Sequence, residues 1–226
     1  MYSIIIPVYN EEKNIQILYD EILKSSKINE YEIIFVNDCS SDSSLSMIKN
    51  IIKNNTYTSF INLKKRAGQS FAIYSGIKKA KSNTIVTIDC DLQNDPKDIE
   101  KLIKIFKSNN YGLVGGIRAN RKDNLIKKIS SIVANKVRAW ILKDGCKDTG
   151  CSLKVFKKNI FLKMPYFDGI HRFLPALFKA YNEELFFSNV SHRERIYGKS
   201  NYGITNRLFK GIKDIIRVKK IIRTLK

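Results

Sequence analysis

Short apolar runs alternate along this chain with stretches whose apolar residues recur every three or four positions. The first pattern suits strands buried on both faces of a sheet, the second amphipathic helices. Tyr2 to Val8 reads as a first strand, and Ile15, Leu18 and Ile22 mark a helix stripe after it. Tyr31 to Val36 reads as a second strand, ending at the polar cluster Asn37 to Asp42, which offers N-caps for a helix striped by Leu45, Ile48 and Ile52. Thr58 to Leu63 is a third, and Gly68 opens a helix through Phe71, Ile73 and Ile77. Thr84 to Ile88 is a fourth, β-branched and apolar. Asp95 and Pro96 then suit a helix start, with Ile99, Leu102, Ile103 and Phe106 at helical spacing. Tyr111 to Ile117 is a fifth. This βαβαβαβαβ alternation over the first 117 residues predicts a mostly parallel α/β sheet with right-handed crossovers and helices on both faces.

The pattern changes after Arg118. Lys122 to Lys143 is a long basic helical stretch with Ile126, Ile129, Val133, Val137 and Trp140 on its stripe. A short strand around Ser152–Phe156, a helix near His171–Tyr181 and a strand at Leu185–Val190 follow. Gly198 and Gly203 bracket a polar loop. Residues 1–203 are expected to form the main domain, and 204–226 a basic amphipathic helix belonging to it or extending from it.

The chain has 226 residues, enough for one α/β domain with a full core, and 43% hydrophobic residues, ordinary for a soluble protein. No apolar run approaches the roughly 20 residues of a membrane span, and no leader pattern opens the chain, so a cytoplasmic location is expected. The four cysteines, Cys39, Cys90, Cys146 and Cys151, follow no zinc spacing. A zinc set from Cys146, Cys151, His171 and His192 has no motif-grade support. A net charge of +20, from 41 basic and 21 acidic residues, calls for an anionic partner: nucleic acid, an acidic membrane surface or a phosphorylated substrate.

Acidic and polar clusters close strands one, two and four: Asn10-Glu11-Glu12, Asn37-Asp38 and Asp89-x-Asp91-x-Gln93. Parallel strands share one carboxyl edge, where α/β sheets bind ligands, so clusters far apart in sequence converge there. Asp38 can accept from a base or ribose donor. Hard oxygen donors at Asp89, Asp91 and Gln93 suit Mg²⁺ or Mn²⁺ holding a diphosphate. No G-x-G-x-x-G and no P-loop is present, which argues against a dinucleotide oxidoreductase and a P-loop NTPase. Basic side chains for phosphate occur at Arg118, Arg121, Lys122, Lys127 and Lys128, with Ser131 beside them, and in the run His192-Arg193-x-Arg195-x-x-Gly198-Lys199. A nucleic-acid-binding module would leave the convergent acids unexplained. A sugar nucleotidyltransferase would need a glycine- and basic-rich loop after Val8, which is missing.

Pro7-Val8-Tyr9-Asn10-Glu11, Val36-Asn37-Asp38 and Asp89-Cys90-Asp91-Leu92-Gln93-Asn94-Asp95-Pro96 resemble the inverting family 2 glycosyltransferases with the GT-A fold. Asp148-Thr149-Gly150-Cys151-Ser152-Leu153-Lys154, His171-Arg172-Phe173-Leu174-Pro175 and His192-Arg193-x-Arg195 narrow the likeness to the dolichyl-phosphate mannosyltransferase and bacterial polyprenyl-phosphate sugar transferase group. The resemblance implies that Pro7, Tyr9, Asn10, Glu11, Asp38 and Asp89 hold the nucleotide. It implies a metal at Asp91 and Gln93 with Asp89 beside them, and donor diphosphate and acceptor phosphate at Arg118, Lys127, Ser131, Arg193, Arg195 and Lys199. Asp91, Asp148, Arg118 and Arg195 are then the expected catalytic residues. Where many relatives carry an acidic residue, this chain has Cys151; Asp148 is the nearby alternative base.

The expected reaction moves a hexosyl unit from a UDP- or GDP-linked sugar to a polyprenyl phosphate, with Mg²⁺ or Mn²⁺. The alternative acceptor is a saccharide hydroxyl. A phosphomonoester, with a second pKa near about 6, is already anionic and needs no strong base, which favours the lipid phosphate. Ile204 to Lys226 places Leu208, Ile212, Ile215, Ile216 and Ile222 among eight Lys and Arg residues, a composition suited to peripheral docking on the anionic inner face of the plasma membrane.

Overall fold

The computed structural model describes residues 1–25, 31–53, 55–119, 138–197 and 204–225, and side chains in all of these except 204–210. A seven-stranded mixed sheet runs in the order β3 (Thr58–Asn62), β2 (Tyr31–Asn37), β1 (Tyr2–Val8), β4 (Thr84–Thr87), β6 (Lys154–Lys157), β5 (Leu113–Arg118) and β7 (Leu185–Val190). Its parallel half comprises β1, β2, β3 and β4. Beyond β4 lie β6, β5 and the edge strand β7. β6 pairs antiparallel with both β4 and β5, whereas β7 pairs parallel with β5.

Side-chain alternation explains why the central strands are apolar throughout. Ile4 and Ile6 of β1, Ile33 and Phe35 of β2 and Val86 of β4 face one layer; Ile5, Ile34 and Ile85 face the other. The first layer is closed by α1 (Glu12–Ser25), α2 (Ser44–Lys53) and α4 (Asp98–Ser108), through Ile15, Leu18, Ile22, Ile48 and the stripe Ile99, Leu102, Ile103 and Phe106. The second is closed by α3 (Gln69–Lys79), the single-turn α5 (Lys158–Phe161), α6 (Leu174–Ala180) and Val218 of α7 (Ile204–Thr224). Gly76 lets α3 lie close on the sheet, since a Cβ there would stand 2.5 Å from Ile5 Cγ2 and 3.0 Å from Val36 Cγ2.

Several expectations need correction. The fifth strand does not extend the parallel run beside β4, because β6 is inserted between them in the opposite sense. The strand expected at Ser152–Phe156 is Lys154–Lys157. The helix expected near His171–Tyr181 divides into a 3-10 turn at Ile170–Arg172 and α6, broken at Phe173 ahead of Pro175. In α2, Ile51 rather than Leu45 joins Ile48 in the core, because the stripe is turned by one position. Of the long basic helix, residues 138–142 are described and are helical; Trp140, expected on the buried stripe, is 80% exposed, and Leu142 is buried instead. Among the described residues no helix is long and apolar enough to cross a membrane.

Candidate active site

All strands bring their functional segments to one edge. β1, β2, β3 and β4 are parallel and end there, and β5 and β7 run in the same sense as β4. β6 runs oppositely, so its entry, Asp148 to Leu153, lies at that edge too. Three strand-ending turns contain a non-glycine residue in the left-handed region: Asn10 (φ 55°), Cys39 (φ 57°) and Leu92 (φ 63°). Asn and hydroxyl side chains stabilise the first two. Asn10 N–H donates to Ser40 Oγ at 3.0 Å, Ser41 N–H donates to Asn10 Oδ1 at 2.8 Å, and Glu11 N–H donates to Ser44 Oγ at 2.9 Å.

Asp38 is buried. Its two carboxylate oxygens accept from the N–H groups of Ala67 and Gly68 at 2.7 and 2.9 Å, so it fixes the loop after β3. That loop swings Arg66 over the Tyr9 ring, with the guanidinium carbon 3.9 Å from the ring centroid. Tyr9, half-buried like Pro7, thus lies beside a flat cationic surface.

Asp89 and Asp91 share the end of β4. Asp89 Oδ1 accepts from Gln69 Nε2 at 2.7 Å, and Asp91 Oδ1 accepts from Gln93 N–H at 3.2 Å. Burial, then repulsion from Asp91, pushes the Asp89 carboxyl up to about 7, against the pull of Ser152, Lys154 and Arg195. Burial likewise raises Glu11, against its hydrogen bond from Asn14 and the charge of Arg195. Arg195 Nη2 lies 2.6 Å from Asp91 Oδ2. Lys154, itself buried, donates to the Cys151 carbonyl.

Arg118 and Asp148 form a bidentate pair: Nε to Oδ2 and Nη2 to Oδ1 are both 2.8 Å, and the Arg118 N–H adds a bond to Oδ2 at 3.1 Å. Asp148 therefore orients Arg118. Arg193 bridges Glu21 at 2.8 Å and Asp95 at 2.6 Å. Burial raises the Asp95 carboxyl, but hydrogen bonds from Lys97 N–H and Arg193 outweigh it, and the group ends below its usual value. Cys151 is buried, which pushes its thiol up and keeps it neutral; its Sγ packs against Asn94 and Leu153. Lys127, Ser131 and Lys199 lie outside the described residues, as do Arg121, Lys122 and Lys128.

Among the described residues no group of three or more His, Cys, Asp and Glu could hold a metal, so the four-residue zinc set is not assembled; His171 Nδ1 instead meets Ser70 Oγ at 2.8 Å. Two neighbouring carboxylates do suit Mg²⁺ or Mn²⁺, which binds through one or two carboxylates and takes phosphate oxygens for the rest. The raised Asp89 is the observation that fits: burial, then repulsion from Asp91, disfavours its charge, and a cation there relieves both. Gln93 is already engaged in part, its Nε2 donating to the Arg193 carbonyl at 3.4 Å.

Sequence reasoning missed Arg66, Gln69 and the buried Lys154. Arg66 and Gln69 follow β3, so the strand-end rule that singled out the other clusters covers them. Lys154 opens β6, and only the reversed direction of that strand brings its start to the edge.

The chain as a whole is similar in sequence and in fold to known proteins. A dodecaprenyl-phosphate galacturonate synthase of Rhizobium johnstonii is 32% identical over 98% of this chain and 67% of its own length. An undecaprenyl-phosphate 4-deoxy-4-formamido-L-arabinose transferase of Photorhabdus laumondii is 33% identical over 88% of this chain and 62% of its own. The chain thus spans about two-thirds of the length of these relatives. The fold matches glucosyl-3-phosphoglycerate synthase of Mycobacterium tuberculosis, solved with Mn²⁺, UDP and glucosyl-3-phosphoglycerate, at a TM-score of 0.71 and 15% identity over 96% of this chain and 78% of that one. Residues 3–187 match the sequence profile of Glycosyl transferase family 2, and the chain belongs to that family.

Proposed function

We propose that this glycosyltransferase moves a hexosyl unit from a UDP- or GDP-linked sugar to a polyprenyl phosphate, with inversion at the anomeric carbon. The observation that carries the reading is the gathering of Glu11, Asp89 and Asp91 with Arg195 and the Arg118–Asp148 pair at one sheet edge, beside the Tyr9–Arg66 surface. Tyr9 and Arg66 would flank the base. Asp89 and Asp91 would hold Mg²⁺ or Mn²⁺, which when bound offsets negative charge on the departing diphosphate.

Arg118, locked by Asp148, presents a preorganised guanidinium for phosphate oxygens. The acceptor phosphate is anionic at neutral pH, so its oxygen attacks the anomeric carbon without surrendering a proton. The C–O bond to the donor diphosphate breaks as the new C–O bond forms on the opposite face, inverting the carbon. Neither Asp148, committed to Arg118, nor the neutral Cys151 thiol supplies a general base, which favours a phosphate acceptor over a saccharide hydroxyl. The names of the two relatives, both polyprenyl-phosphate enzymes, support the same acceptor class.

A peripheral position on the inner membrane face follows from the same reading. On α7, Ile212 and Ile216 are 52% and 65% exposed and stand among the exposed Lys213, Arg217, Lys219, Lys220 and Arg223, while Val218 and Asp214 face inward. The test is a transfer assay offering nucleotide sugars with undecaprenyl phosphate in one arm and saccharide acceptors in the other. The reading expects a phosphate-linked glycolipid; glycosylation of the saccharides alone would overturn it.

A further inference from the structure

Arg193 and Arg195 stand two residues apart yet are placed for different work. Arg193 is an anchor. Its N–H donates to the Gln93 carbonyl at 2.8 Å, its guanidinium spans Glu21 and Asp95, and the neighbouring His192 pairs with Asn94 as an antiparallel bridge. The segment after β7 is thereby pinned along residues 93–95, next to Asp91. Arg195 lies just past the pin, and its Nη2 sits 2.6 Å from Asp91 Oδ2, with the two side chains 27% and 10% exposed. Its charge also acts on Glu11 and Asp89.

We propose that Arg195 is the resident counter-cation of Asp91, occupying in the free protein a carboxylate oxygen that a divalent ion needs, so that ion and guanidinium compete for it. This rests on the reading of Asp89 and Asp91 as the metal site given above. A shared carboxylate oxygen would hold two cations in contact, and their repulsion drives Arg195 away as the ion enters. The displaced guanidinium is then available to an anionic oxygen, which a nucleoside diphosphate or phosphate acceptor supplies. Ion and diphosphate consequently bind with positive cooperativity, with Arg195 as the coupling element. The pinned Arg193 confines the exchange to the few residues beyond it.

Mn²⁺ binding to the full chain, followed by electron paramagnetic resonance without nucleotide, tests the competition. Arg195→Gln is expected to bind Mn²⁺ about tenfold more tightly than the wild type, within the range of measured coupling energies. The further tightening produced by saturating UDP or GDP is expected to shrink in that variant, while Arg195→Lys, which keeps the charge, stays near the wild type. In the wild-type protein, the Nε–Hε signal of Arg195, identified by its loss in Arg195→Gln, should shift when Mg²⁺ alone is added, while that of Arg193 stays in place. This second readout holds even if Arg195→Gln folds poorly, since Arg195→Lys also assigns the signal. Equal or weaker Mn²⁺ affinity in Arg195→Gln, or an Arg195 signal indifferent to Mg²⁺, overturns the competition and leaves the metal site standing. Absence of Mn²⁺ binding to either protein, with or without nucleotide, overturns both.

Discussion

Replacing Asp148 with Asn separates two roles that this carboxylate could play. Its oxygens accept three hydrogen bonds from Arg118, two from the guanidinium at 2.8 Å and one from the N–H at 3.1 Å, and the side chains are only 15% and 7% exposed. Asn keeps one acceptor and turns an NH₂ donor toward a guanidinium that can only donate. Breaking a buried pair on one side costs about 3–5 kcal/mol, because a buried charge is left uncompensated. Taking about 3 kcal/mol, the lower bound, for a pair that solvent still reaches, Asp148→Asn should lower the Tm by about 6–12 °C in a chain of this size. Arg118→Met combined with Asp148→Leu should recover most of that loss, since the double replacement strands no charge. Differential scanning calorimetry at pH 7 of the wild type, Asp148→Asn, Arg118→Met, Asp148→Leu and the double variant makes the comparison and closes the cycle. A Tm within about 2 °C of the wild type for Asp148→Asn, together with collapsed turnover, would refute the argument and return Asp148 to the role of general base.

Other expectations are more direct. Gly76→Ala gains about 1 kcal/mol of helix propensity, yet its Cβ would meet Ile5 and Val36 at 2.5 and 3.0 Å, an overpacking that costs about 1–3 kcal/mol; chemical denaturation should show net destabilisation, and a gain would refute the close approach of α3. Because Asp89 titrates near 7 when folded, against 3.8 ordinarily, its stabilising contribution is complete below about pH 4 and is lost as pH rises to about 7. A divalent ion must displace that proton, so the Mn²⁺-induced rise in Tm should be larger at pH 8 than at pH 6; a pH-independent rise would contradict the raised carboxyl. Ile212→Asp with Ile216→Asp should reduce cosedimentation with phosphatidylglycerol vesicles without changing nucleotide binding; unchanged partitioning would remove α7 as the docking face.

Most of the fold was legible wherever its signal is local. Ile99, Leu102, Ile103 and Phe106 recur at helical spacing and are all buried in α4, and the β-branched run Thr84 to Thr87 forms β4 with the carboxylates following it. Convergence of Glu11, Asp89 and Asp91 also follows from a simple rule, since parallel neighbours end together. What escaped depends on distant partners. The insertion of β6 between β4 and β5 is fixed by pairing of Lys154–Lys157 with residues about 40 and 70 positions earlier, which no four-residue pattern reveals. Trp140 shows the limit of periodicity: its spacing matches a stripe, but burial depends on which face meets the second layer, and Ile141 and Leu142 do so. The basic run His192 to Arg195 stood out as a candidate, yet charge alone could not divide it. Glu21 and Asp95, from different elements, make Arg193 an anchor and leave Arg195 to face Asp91.

Donor binding is expected to depend on a divalent ion that holds the activated sugar's diphosphate at the carboxyl edge of β4. Thermal-shift titration of UDP- and GDP-sugars, with and without Mn²⁺, tests this on the wild type and on Asp91→Ala. For the cognate donor at a hundred times its Kd, binding should add about 2.7 kcal/mol, a rise of about 5–11 °C that requires Mn²⁺ and disappears in Asp91→Ala. A donor that stabilises both proteins equally, with no need of the ion, would contradict the central claim.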